Sequence, residues 1–181
     1  MKKFIPVIPM MLVIASSVYA QSVGVYRGRT SQNAVIEFTV VQRGQELCVD
    51  PIGFGVTLTC PSGGRTGWGA SFGGLCNAIQ EDGSFTVTLA PLDGAIVTYV
   101  VSGQFTSDTT AEGTISFQAS HLRFPGKIDP VEAQLCDAGD VTWMANHTAG
   151  PSEALKFEGN QTIRSTDKGG NTATFYKLDP K

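Results

Sequence analysis

The sequence predicts an all-β fold: a single antiparallel β-sandwich or barrel-like domain held by two disulfides. Short runs alternate apolar and polar side chains with the period of two that half-buried strands require. Glycine-rich turn signals separate these runs at close intervals, and 21 of the 181 residues are Gly. Four cysteines, an even number, all follow an N-terminal segment with the marks of an export signal. The charged fraction, 16%, lies below the roughly 25% of an average soluble domain. A hydrophobic content of 41% is too high for a disordered chain.

Residues 1–20 read as a secretory signal peptide. Lys2 and Lys3 make a positive start, an apolar run interrupted by Pro6 and Pro9 extends to Ala15, and small residues lead to a cut after Ala20. The run is too short, and too broken by proline, for a comfortable membrane anchor, and no later stretch approaches ~20 apolar residues. Residues 21–181 are therefore expected as one secreted or periplasmic domain with no membrane span. Cleavage removes two lysines and no acid, so the formal net charge moves from −3 to −5. An acidic exported chain has no electrostatic reason to bind nucleic acid.

Nine strands are expected in the mature chain. They are residues 24–30, 34–42, 46–50, 55–60, 85–89, 95–101, 114–119, 140–146 and 172–178. In the second, Ile36, Phe38 and Val40 share one face and Glu37 and Thr39 the other. In the eighth, Val141, Trp143 and Ala145 face together. Asp82-Gly83 and Asp93-Gly94 are Asp-Gly pairs suited to tight turns with positive φ. The sole helical candidate is 152–157, one or two turns that Ser152 would cap.

The segment 51–74 stands apart, with eight glycines among Phe54, Trp68 and Phe72. As an exposed loop it would offer Arg65, Trp68 and Phe72 to a sugar ring or a protein partner. The favoured alternative sends Trp68 and Phe72 inward along a curved, glycine-rich strand, because buried aromatics are common in small β cores.

Four cysteines allow three pairings. Cys60–Cys136 with Cys48–Cys76 is the favoured set, and a hairpin pairing of Cys48 with Cys60 stays open. The gaps of 12, 16 and 60 residues lack the close pair typical of a zinc site. A copper site from Cys136, Met144 and His147 fails on order and spacing. There are two histidines, His121 and His147, and no G-x-S-x-G elbow. No metal, cofactor or catalytic residue is expected. The enzymatic alternative is a hydrolase using Asp137 or Asp140 with a second acid.

Gly24-x-Tyr26-x-Gly28-x-Thr30-Ser31-Gln32, Ser102-Gly103-x-Phe105-x-Ser107, Ala111-x-Gly113-Thr114 and Cys136-x-x-Gly139-x-Val141-Thr142-Trp143-x-Ala145 together resemble a family of secreted bacterial β-rich domains of no established activity. The resemblance covers about Gly24 to Ala145 and rests on turn glycines and core positions. It implies an exported β-domain with one Cys after the early strands and one before the Trp strand, as at Cys60 and Cys136. Cys48, Cys76 and the tail after Asn146 depart from that pattern, and no catalytic residue carries over. The expected function is a non-enzymatic binding module for an envelope or extracellular protein or glycan. An inhibitor or immunity-like protein of an envelope enzyme is the other non-enzymatic reading.

Overall fold

A computed structural model describes residues 21–88, 96–120, 135–149, 161–166 and 172–178. The signal-peptide reading, His121 and the helical candidate 152–157 lie outside these residues. The described elements are all strands: β1 Gly24–Thr30, β2 Val35–Arg43, β3 Glu46–Thr59, β4 Arg65–Gly73, β5 Asn77–Ala78, β6 Ser84–Thr88, β7 Ile96–Phe105, β8 Thr110–Ser120, β9 Cys136–Asp137, β10 Val141–Thr148, β11 Gln161–Thr166 and β12 Thr172–Leu178.

Hydrogen bonding runs β11-β12-β4-β3-β2-β1-β10-β8-β7-β6, every pair antiparallel. The two-residue β9 pairs with both β3 and β8. It thereby closes β3-β2-β1-β10-β8 into a six-stranded antiparallel barrel, and the remaining strands extend from that ring. The extensions pack on each other: Phe72 of β4 stacks on Tyr99 of β7 with ring centroids 4.3 Å apart, and Phe175 of β12 meets Phe72 edge-on at 5.7 Å.

Two aromatic groups fill the interior, as the period-two pattern requires. Tyr26, Phe38, Phe85, Phe105 and Trp143 form one, with Tyr26 stacked on Phe38 at 5.0 Å. Phe54, Phe72, Tyr99, Phe117 and Phe175 form the other. Ring pairs at these separations add packing energy beyond the area they bury.

Glycine makes the first group possible. Gly113 lies between Trp143 and Gly103 in register, and Gly103 lies beside Phe85. A Cβ at Gly113 would stand 2.7 Å from the Trp143 ring and 1.9 Å from the Ser102 carbonyl oxygen; one at Gly103 would stand 2.3 Å from the Phe85 ring. Small residues opposite large ones let the layers interdigitate at native density.

Both favoured disulfides are present. Cys60–Cys136 joins the end of β3 to β9 and so staples the strand that closes the barrel. Cys48–Cys76 ties β3 to the chain entering β5. No free cysteine remains among the described residues.

Three strand expectations need correction. Residues 46–50 and 55–60 are parts of one strand, β3. Phe38 faces Ile52 and Val40 faces Val49, so Asp50 and Pro51 together stand opposite Thr39 in a bulge. A bulge asks no ladder hydrogen bond of Pro51, which has no N–H to give. Asp50 is held there by an ion pair with Arg43 and by the Gly74 N–H, which donates to its Oδ1 at 2.9 Å. Strands β7 and β8 pair over ten residues, well beyond the expected 95–101 and 114–119. β5, β9 and β11 had no expected counterpart.

The two interior tyrosines contrast usefully. The Tyr26 hydroxyl donates towards the carbonyls of Ser22 and Asp108, 3.0 and 2.9 Å away. The Tyr99 hydroxyl is buried with no hydrogen-bond partner among the described residues. Tyr26→Phe is expected to cost about 0.5–1.5 kcal/mol, whereas Tyr99→Phe is neutral or stabilising by up to about 1 kcal/mol, because it removes an unsatisfied group. Burial pushes the Tyr26 phenol up from 10.0 to about 12 and raises Tyr99 as well. A raised folded pKa means the native state keeps its proton while the unfolded chain loses it. The tyrosine contribution is thus fully present below pH 10 and falls as pH rises from 10 through about 12. Urea midpoints measured from pH 8 to 12 check this: a decline above 10 that Tyr26→Phe lessens is expected, and a flat profile contradicts it.

A candidate binding trough on the outer sheet face

The residues first considered for recognition do not form one site. Trp68 and Phe72, 1% and 2% exposed, sit in the core. The inward, glycine-rich curved strand is therefore the arrangement found, and neither ring is available as a loop contact. Alternation along β4 dictates this: Thr66, Trp68, Ala70 and Phe72 are buried while Arg65, Gly67 and Ser71 are not. Arg65 is exposed at the start of β4, opposite Thr59.

Of the two carboxylates considered for hydrolysis, Asp140 is exposed and Asp137 is occupied structurally. The Asp137 Oδ2 accepts from Gln118 Nε2 at 2.6 Å and its Oδ1 accepts the Gly139 N–H at 2.5 Å. These bonds hold the short closing strand in place. Glu46, Cys48 and Cys76 bring three ligand-type atoms together, but both sulfurs are already bonded to each other and do not compose a metal site. Met144 is exposed on the outer face and the His147 ring packs edge-on to Tyr26, far from any thiolate, since Cys136 is a cystine.

Among the described residues a concave feature lies instead on the outside of β1, β10, β8 and β7, an open trough of about 720 Å³. Its origin is visible in the register. Thr30, Trp143, Gly113 and Gly103 are adjacent across the four strands, and their side chains are directed inward or absent. Their backbone is the floor. The neighbouring residues along each strand point out and make two parallel walls. Arg29, Met144, Glu112 and Gln104 form one wall. Ser31 with Thr142, Thr114 and Ser102 forms the other. Strand spacing makes each wall about 14 Å long, and the two-residue repeat sets them about 7 Å apart.

The walls differ chemically. One is a row of hydroxyls, where the Ser31 Oγ accepts the Thr142 N–H at 3.2 Å. The other runs cation, thioether, carboxylate, amide. Arg29 donates from Nη1 to the Asn33 carbonyl at 2.9 Å, which steadies the guanidinium and leaves its other donors free among the described residues. Asn33 itself takes a left-handed φ of 60° in the β1–β2 turn. Glu112 is exposed with no hydrogen-bond or ion-pair partner among the described residues. Met144 between them is 54% exposed. By contrast the other two arginines of β1 and β2, Arg27 and Arg43, are paired with Glu37 and Asp50.

The sequence reading passed over this site because its residues come from four separate segments. Only the outward parity of each position was visible, and parity alone does not say which strands lie side by side. No family model, curated protein or solved structure matches the chain.

Proposed function

We propose that the protein is an exported, non-catalytic binding module that takes a protein segment in the outer trough. The carrying observation is the trough itself: two chemically distinct walls, one with an unpaired carboxylate, over a core filled by side chains. Trp143 is the one aromatic residue among those lining the trough and is 3% exposed, so its ring offers no face on which a sugar could stack, and this favours a protein over a glycan. Two disulfides suit an oxidising compartment. No described helix is long and apolar enough to cross a membrane. The export reading rests on residues 1–20 and predicts a mature chain that begins at Gln21.

Capture from periplasm or culture supernatant tests the reading, with wild type compared against Thr114→Arg and Arg65→Ala. The first fills the trough with a long cationic side chain. The second alters an exposed residue on β4, three strands away from β1. A captured protein lost with Thr114→Arg, retained with Arg65→Ala and confirmed by direct titration is the expected result. Equal capture by both variants contradicts it.

A further inference from the structure

Resting on that reading, we infer that the trough selects an extended polyproline-II segment carrying an acidic and a basic side chain three residues apart. The spacing decides this. Arg29 and Glu112 occupy one wall with Met144 between them in register, so two strand intervals, about 9.6 Å, separate them. A polyproline-II helix rises about 3.1 Å per residue with three residues per turn. Residues i and i+3 therefore project from the same side about 9.3 Å apart. In a β-conformation, residues i and i+3 point to opposite faces, and i and i+2 reach only about 7 Å. An α-helix brings two side chains to one face at a comparable distance only at i and i+7, about 10.5 Å, and its diameter of about 10–12 Å is too wide for walls about 7 Å apart.

The remaining surfaces agree with that shape. Met144, between the charges, offers a thioether for the apolar residues that intervene in the ligand. Polyproline II has no internal backbone hydrogen bonds, so its carbonyls are free acceptors. The facing wall of Ser31, Thr142, Thr114 and Ser102 supplies hydroxyl donors along the same length. The unpaired Glu112 carboxylate receives the cation, and the free Arg29 donors receive the carboxylate.

Fluorescence anisotropy with labelled synthetic peptides tests the inference. A capped peptide with Glu-Pro-Pro-Lys at its centre is expected to bind roughly fivefold tighter than one with Glu and Lys five residues apart, as two exposed charge pairs permit. The preference should vanish near 1 M salt, where the Debye length falls to about 3 Å. Arg29→Glu should invert selectivity, binding Lys-Pro-Pro-Lys better than Glu-Pro-Pro-Lys, with an unchanged thermal midpoint showing that the fold is intact. Equal affinity for the two spacings, or unchanged selectivity in Arg29→Glu, overturns the inference. If no peptide binds while Thr114→Arg still loses the captured protein, the ligand conformation is wrong and the site stands. If Thr114→Arg loses nothing, the site is wrong too.

Discussion

Replacing both Cys60 and Cys136 by serine is expected to lower the unfolding free energy by about 2–5 kcal/mol, the range seen when native disulfides are removed. The bridge closes a loop of 76 residues, for which chain entropy alone gives about 4.5 kcal/mol. Cys48–Cys76 spans 28 residues, and the same relation gives about 3.5 kcal/mol. Position adds to the difference. Cys136 belongs to the two-residue strand that pairs with both β3 and β8, and the bridge anchors that short strand directly to the end of β3. The double variant should therefore lose protection first at the backbone amides of Asp137 and Ala138. Chemical denaturation gives the free energy, and amide hydrogen exchange locates the opening. A loss confined to the region around Cys76 would contradict this assignment.

The second large effect is expected at two glycines. Gly113→Ala places a methyl group 1.9 Å from the Ser102 carbonyl oxygen and 2.7 Å from the Trp143 ring. Gly28→Ala places one 1.7 Å from the Met144 carbonyl oxygen. The two carbonyl oxygens are backbone atoms, so no side chain can swing away to relieve those contacts. Overpacking of this kind costs about 1–3 kcal/mol and sometimes more, and both substitutions belong at the upper end. Gly44→Ala supplies the contrast. A Cβ there meets nothing within 4 Å, and its penalty comes from a φ of 65° alone, so a cost near 1 kcal/mol is expected. Thermal or urea unfolding of the three variants checks the order. Gly113→Ala as mild as Gly44→Ala would show that β8 does not approach β7 and β10 as closely as described.

Much of the fold was legible because alternation is a local signal. Ile36, Phe38 and Val40, or Val141, Trp143 and Ala145, announce their buried face within one strand. The inward placement of Trp68 follows the same rule once β4 is read as a strand, although its three glycines argue for a loop. What stayed hidden depends on distance along the chain. β9 is two residues long, too short to carry a period, and becomes a strand through its partners on β3 and β8. The expected strand 46–50 stops short of Pro51, and only the register opposite Thr39 carries β3 through Asp50 and Pro51 as a bulge. The trough needs Arg29, Met144, Glu112 and Gln104 side by side, an adjacency created by the order β1-β10-β8-β7. No single segment contains two of those four residues.

The fold keeps its buried rings inside and the trough's polar groups outside. Solvent paramagnetic relaxation by a neutral, soluble gadolinium chelate measures that division directly by NMR. The methyl groups of Met144, Thr142 and Thr114 should broaden strongly, and the indole signals of Trp68 and Trp143 should be spared. Broadening of the Trp68 indole equal to that of the Met144 methyl would return β4 to an exposed recognition segment and contradict the outer trough as the binding face.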